Sequence, residues 1–245
     1  ETILDFNLVE GSINKLDSAY VIFQEQAYRF PLDAQGKGTL KMNIKEDGFA
    51  ILVYGKLSTN IYLKQGNTLK VIWDKEDWRG GKMQVVSDDG GINEYIRLNI
   101  EKSFKKATEC SFTLEEDSFM DKVEQTIREL SAGIDSTNFA PEIKDILKAS
   151  SKYEVLYWIY KYPRFHNFGK RMSQEEYLAF KRFNEYMFDK FEAHPEYLCL
   201  TAYREYAVNW FYELMQLRCF GEPYILKKEK ACQYILEHVK NAELR

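Results

Sequence analysis

Residues 195–220 read PEYLCLTAYREYAVNWFYELMQLRCF. Tyr203, Tyr206, Ala207, Trp210, Phe211, Leu214 and Leu217 recur at helical spacing and form a wide apolar face. Cys199, Ala202, Val208 and Met215 on the far side are hardly more polar. A helix that is apolar nearly all round packs against neighbours on more than one side, so this stretch is predicted to be the central helix of a helical domain. Arg204, Glu205, Asn209 and Glu213 interrupt the run too often for a membrane span. Burial of Arg204 and Glu205 requires partners, which predicts an ion pair to a neighbouring helix.

Working outward, the helical period extends back to Gly91. Ile92, Tyr95, Ile96, Asn99, Ile100 and Phe104 suggest a first helix. Thr113-Leu114-Glu115-Glu116 has capping-box spacing and predicts the start of a second, with Phe119, Val123, Ile127 and Leu130 facing inward and an end at Gly133 and the polar Asp135-Ser136-Thr137-Asn138. Pro141 suits the first turn of a third, which continues or breaks at Ser150-Ser151 and ends at Pro163. Ser173-Gln174-Glu175-Glu176 is another capping box, followed by Tyr177, Phe180, Phe183, Asn184, Met187 and Phe191 on one broad face. Gly221 and Pro223 stop the central helix, and Ala231, Tyr234, Ile235 and Val239 mark a last amphipathic one. Residues 91–245 hold 27 of the 37 aromatic side chains, which helical periodicity assigns mainly to a core and secondarily to an interaction face.

Residues 1–90 follow a different period. Eight short runs alternate or are continuously apolar: Ile3–Val9, Ala19–Phe23, Tyr28–Leu32, Leu40–Ile44, Phe49–Tyr54, Asn60–Leu63, Leu69–Trp73 and Met83–Val86. Turn residues separate them, as in Asp33–Gly38, Glu46-Asp47-Gly48 and Gln65-Gly66-Asn67. Pro31 places its run on a sheet edge. No helical crossover fits between the runs, so the prediction is an antiparallel sandwich or barrel. The chain is therefore read as α+β with two domains: residues 1–90 an antiparallel β-domain and residues 91–245 an all-α bundle.

Composition narrows the function classes. The 34 Lys and Arg against 38 Asp and Glu leave a formal charge of -4 with no basic block, which argues against nucleic acid as a partner. No charge-free run reaches about 18 apolar residues, so no membrane span is expected. The first residue is Glu1 rather than Met, which is compatible with a removed leader or a lipid anchor upstream. Cys110, Cys199, Cys219 and Cys232 lie 89, 20 and 13 residues apart and read as buried free thiols, with a disulfide across helices the alternative. His166, His194 and His238 have no His or Cys at ligand spacing. His166 sits in Pro163–Lys170, read as a solvated loop anchored by Phe165 and Phe168, with anion binding the alternative. His194 reads as a helix boundary, and His238 suits a helix C-terminus. Neither Gly36-Lys37-Gly38 nor Gly80-Gly81 has the spacing of a phosphate loop. Asp88-Asp89 reads as a turn and Glu115-Glu116 as a helix start, not as an opposed acid pair. The sequence thus offers no catalytic, cofactor-binding or metal-ligating set.

Several short motifs together resemble a known arrangement. Gly11-Ser12-Ile13, Phe30–Gly38 and Ile61–Val71 are similar to the amino-terminal β-domain, catalogued as DUF4369, of TlpA-like thiol–disulfide oxidoreductases from the Bacteroidetes. Gly91–Tyr95 and Tyr203–Tyr206 resemble parts of the helical region that follows, sometimes DUF5106-like. Gln65 departs from the proline common in the family's turn. The resemblance implies export to the periplasm, often as an outer-membrane lipoprotein, and a thioredoxin-like domain carrying the redox pair beyond the helical region. No Cys-x-x-Cys occurs up to Arg245, so the family's catalytic residues have no counterpart here. The leading expectation is a non-catalytic binding or scaffold module of the cell envelope, partnered by an envelope protein or a covalently linked thioredoxin-like domain. A second is the accessory half of a longer oxidoreductase. A third is a hydrolase or carbohydrate-binding protein, whose mark would be a concave pocket with two facing carboxylates.

Overall fold

The structure is a computed structural model that describes residues 1–9, 16–74, 82–166, 173–189, 194–218 and 229. Eight strands form from the alternating runs: β1 Thr2–Val9, β2 Ser18–Phe23, β3 Gln26–Pro31, β4 Lys37–Met42, β5 Gly48–Tyr54, β6 Leu57–Leu63, β7 Thr68–Asp74 and β8 Gln84–Val86. They make two four-stranded sheets, ordered β4-β1-β7-β8 and β3-β2-β5-β6. The period of two puts Leu4, Phe6 and Leu8 of β1 and Ala19, Val21 and Phe23 of β2 into a shared apolar layer. Trp73 is fully buried there, with Phe6 meeting it edge-on at 6.5 Å. The result is an open sandwich rather than a barrel.

The expectation of purely antiparallel pairing is corrected at one place: β1 and β7 run parallel, from Ile3 beside Thr68 to Val9 beside Asp74. The chain between them passes through β2, β3, β5 and β6 of the other sheet. That excursion does the work that a helix does in a conventional parallel crossover. Pro31 lies on β3, an edge strand, as expected. At the β3–β4 corner a methyl group on Gly38 would lie 2.4 Å from the Pro31 carbonyl oxygen, so the close approach demands glycine. Asp33 holds this turn by accepting the Gln35 and Lys37 amides.

The helices begin at Ile92. They are α1 Ile92–Thr108, α2 Glu116–Asp135, α3 Pro141–Ile159, α4 Tyr162–His166, α5 Gln174–Leu178, α6 Lys181–Asn184 and α7 Thr201–Arg218. A π-helical turn covers Glu185–Asp189 and a 3-10 turn Pro195–Tyr197. α3 runs unbroken through Ser150-Ser151, because Asn99 of α1 donates to Ser151 Oγ at 2.7 Å and satisfies it inside the bundle. Phe119, Val123, Leu130, Tyr153, Leu156, Tyr162, Phe183, Tyr203, Tyr206 and Trp210 share the main helical core.

Several helix boundaries differ from the sequence reading. α2 is capped at Glu115 with no side-chain bond, so Thr113 makes no capping box, and Thr113 hydrogen-bonds Ser111 instead. α2 passes through Gly133 and ends at Asp135, at the start of the polar run Asp135–Asn138 expected to stop it. Pro163 lies inside α4, the chain having already turned at Tyr160-Lys161. The capping box at Ser173 and Glu176 forms, but the helix it starts stops at Leu178 and resumes at Lys181. The helix predicted from residue 195 becomes a 3-10 turn and then α7, whose Val208 is exposed, so it is not apolar all round. The predicted last helix around Ala231–Val239, Gly80-Gly81, Phe191, and the Gly221 and Pro223 stop signals lie outside the described residues.

Candidate functional site

The most constructed place in the molecule is the junction between the sandwich and the helices, built on β6. The inward side of β6 carries Ile61 and Leu63 into the sandwich core. Its outward side carries Asn60 and Tyr62 toward the helices. Tyr62 packs with Ile92, Ile96 and Ile100 of α1, and with Ile134 and Leu147, in a separate apolar cluster. β6 is an edge strand, so its outer backbone groups need partners. Asn93 supplies them: its Oδ1 accepts the Tyr62 amide at 2.8 Å, and its Nδ2 donates to the Tyr62 carbonyl at 2.7 Å. One side-chain amide thus replaces a neighbouring strand.

Asp89 holds Asn93 in place. Its carboxylate accepts the backbone amides of Gly91 and Ile92, both at 2.9 Å, and that of Asn93 at 3.2 Å, as well as the Asn93 side-chain amide. A carboxylate facing the first amides of α1 satisfies orphan donors and the positive end of the helix dipole. Gly90 and Gly91, with φ of +74° and +86°, turn the chain so that Asp89 reaches back onto its own helix. Asp88-Asp89 is therefore not a plain turn: its second residue anchors the junction.

Asn60 repeats the device toward α7. Its Nδ2 donates to the Cys199 carbonyl at 2.6 Å, and its Oδ1 accepts the Thr201 amide at 3.1 Å, at the first residue of that helix. The same Nδ2 lies 3.3 Å from the Ala50 carbonyl of β5. Two asparagines, one on each side of the junction, read each other's domain through paired backbone contacts. Sequence reasoning missed both. The available signal was an asparagine inside the apolar run Asn60–Leu63, and an asparagine four residues after an aspartate at a helix start.

Beside Asn60 a cleft of about 250 Å³, its open mouth included, is lined by Ser58, Thr59, Thr201, Ile100, Glu154 and Glu205. It brings together two carboxylates, the buried Glu154 of α3 and Glu205 of α7. The Thr201 hydroxyl is enclosed with no hydrogen-bond partner among the described residues. Nearly all of that space is the open mouth: the enclosed part is about 10 Å³, room for about one water. The junction is filled rather than hollow, and a sugar ring does not fit.

The other residues singled out from sequence do not converge here. Arg204 donates its Nε–H to the Leu198 carbonyl, tying α7 to the turn before it rather than forming the predicted inter-helix ion pair among the described residues. Pro163–His166 belong to α4 rather than to a loop, and they are anchored on Phe112: His166 Nδ1 lies 3.0 Å from its carbonyl and Phe165 stacks on its ring at 5.5 Å. Asn167–Lys170, with Phe168, lie outside the described residues. His194 sits at the start of the 3-10 turn, 2.8 Å from Glu196, with its backbone amide donating to Tyr203 Oη. His238 lies outside the described residues. Cys110 and Cys199 are free thiols, while Cys219 and Cys232 lie outside the described residues. Burial pushes the Cys110 thiol up and the Cys199 thiol up to about 11.

No cluster of three or more metal-ligating side chains occurs among the described residues. No described helix is long and apolar enough to cross a membrane. No protein-family model, curated protein or solved structure matches this chain.

Proposed function

We propose that residues 1–245 act as a binding or scaffold region of a cell-envelope protein related to TlpA-like thiol–disulfide oxidoreductases. The observation that carries this reading is the β6 junction. Asn60, Asn93 and Asp89 hold a sandwich and a helical bundle in one fixed arrangement. A region that positions a partner or a thioredoxin-like domain needs such a fixed arrangement more than it needs a cavity. The order of a sandwich followed by helices agrees with the layout that the sequence resemblance implies. The raised pKa of both described thiols keeps them protonated at neutral pH, which suits a supporting role rather than thiol exchange by these cysteines. A second reading, the accessory half of a longer oxidoreductase, rests on the same junction and differs only in whether the positioned domain is covalently attached.

The test is capture from a detergent-solubilised envelope extract on immobilised chain, with Asn93→Ala as the comparison. The reading expects a saturable partner that is retained by the parent chain and lost or weakened when the junction is loosened. A chain that stays monomeric and retains nothing from the extract contradicts partner recognition.

A further inference from the structure

We propose that α5, α6 and the π turn, residues 174–189, form a separately opening arm clasped to α2 by Arg182. The arm is three short pieces: five residues of α-helix, four more after a break at Ala179-Phe180, and a five-residue π turn. Short and broken helices carry little stability of their own. α5 buries no residue at all, and the arm's deepest anchors are Phe183 and Met187. The docked arm also encloses the Asn184 Oδ1 atom, which has no hydrogen-bond partner among the described residues. Such an atom favours any opening that lets water reach it.

Phe183 and Met187 anchor the arm in the helical core, and Tyr206 Oη donates to the Met187 carbonyl, while its ion pairs to α2 are concentrated at one side chain. Arg182 reaches Asp121 at 2.7 Å, Glu124 at 3.2 Å and Asp117 at 3.6 Å, and also donates to the Asp117 carbonyl. Beside it, Glu116 accepts the backbone amide of Phe183 at 2.7 Å. Asp117, Asp121 and Glu124 lie on one stripe of α2, four and three residues apart, where like charges repel. Arg182 neutralises that stripe only while the arm is docked. The carboxylates of Asp117 and Asp121 are largely open to solvent, so the clasp is exposed to salt. Beneath the arm, Phe180 and Phe183 cover Tyr162, which stacks on Phe119 at 3.9 Å. Opening therefore uncovers an aromatic surface and leaves an acidic stripe at its edge.

Hydrogen–deuterium exchange of the whole chain, read by peptide, tests the arm. The parent chain should exchange residues 174–189 faster than α1 and α3. The arm's exchange should quicken further between about 0.05 and 0.5 M sodium chloride, as screening weakens exposed ion pairs. Arg182→Gln should accelerate the arm roughly fivefold to tenfold, remove its salt response, and leave α1 and α3 within about twofold. Arg182→Lys should fall between, since it keeps the charge and loses the fork. If the arm exchanges at the rate of α1 and α3 in the parent chain, or if Arg182→Gln leaves it unchanged, the clasped arm is wrong. If Arg182→Gln speeds α1, α3 and the arm equally, Arg182 supports global stability and the separate arm is likewise rejected.

Discussion

Asn93→Ala removes the side chain that replaces a strand at the edge of β6. The Tyr62 N–H and C=O lose their partners in a junction closed over by Ile92, Ile96 and Ile100. Asp89 loses the side-chain amide it accepts. Each buried polar group left unpaired costs about 1–3 kcal/mol, and water entering the space left by the amide recovers part of that. The expected loss is about 3 kcal/mol, a large share of the roughly 5–15 kcal/mol that holds an ordinary domain together. Urea unfolding followed by far-ultraviolet circular dichroism measures it. The parent chain should unfold in one transition, because β6 gives Ile61 and Leu63 to the sandwich core and Tyr62 to the cluster it shares with α1. Asn93→Ala should either shift that transition or split it into a helical and a sheet step with smaller slopes. Asn93→Asp keeps the shape but turns an acceptor toward the Tyr62 carbonyl and Asp89. At neutral pH it should be at least as damaging as alanine. The folded protein then binds a proton at that position more tightly than the unfolded chain, so the deficit shrinks as pH falls. A loss under about 0.5 kcal/mol for Asn93→Ala, with one unchanged transition, would refute the reasoning.

Other outcomes follow from the same geometry. Gly38→Ala should cost more than Gly66→Ala. Gly38 lies in β4 and Gly66 in the β6–β7 turn; a methyl group at 38 meets the Pro31 oxygen at 2.4 Å and Leu32 Cδ2 at 2.7 Å, whereas at 66 nothing lies within 4 Å and only the φ of +78° is strained. Gly66→Ala should lose about 1 kcal/mol and Gly38→Ala at least twice that in thermal unfolding, and equal losses would contradict the close packing at the corner. Cys199, pushed up to about 11, should react with iodoacetamide at pH 8 about two orders of magnitude more slowly in the folded chain than in urea, as peptide mapping would reveal. Burial raises the phenol pKa of Tyr162, Tyr186, Tyr203 and Tyr206. Their folded values lie above the unfolded one, so the stability they contribute is present below about pH 10 and is lost as pH rises beyond it. Absorbance at 295 nm should show tyrosine ionisation lagging and then rising together with loss of helix, and independent ionisation of all tyrosines with the helix intact would oppose this.

The strands were legible because their signal is local. Alternation in Leu40-Lys41-Met42 or Leu69-Lys70-Val71 is the physical requirement of a half-buried strand and needs no distant partner. The parallel β1–β7 pair was not legible, since it is set by where the chain returns after crossing the other sheet. Helix interiors were readable from period, but their ends depended on competing tertiary contacts. Thr113 had the spacing of a cap, yet its hydroxyl found Ser111, and Glu116 turned to the Phe183 amide. The run from Tyr177 to Met187 had one broad face and still broke at Ala179-Phe180. The junction was the least visible part. Asn60 and Asn93 act on backbone groups 139 and 31 residues away, and a backbone partner leaves no mark in the sequence.

The functional claim is tested most directly by the native protein itself. Fractionating the source cells and mapping peptides of the mature polypeptide gives both its compartment and its extent. The account predicts recovery in the periplasmic or outer-membrane fraction, either beside a separate partner or with peptides continuing past Arg245 into a thioredoxin-like domain bearing Cys-x-x-Cys. Recovery in the cytosolic fraction, with no such domain and no envelope partner, would contradict it.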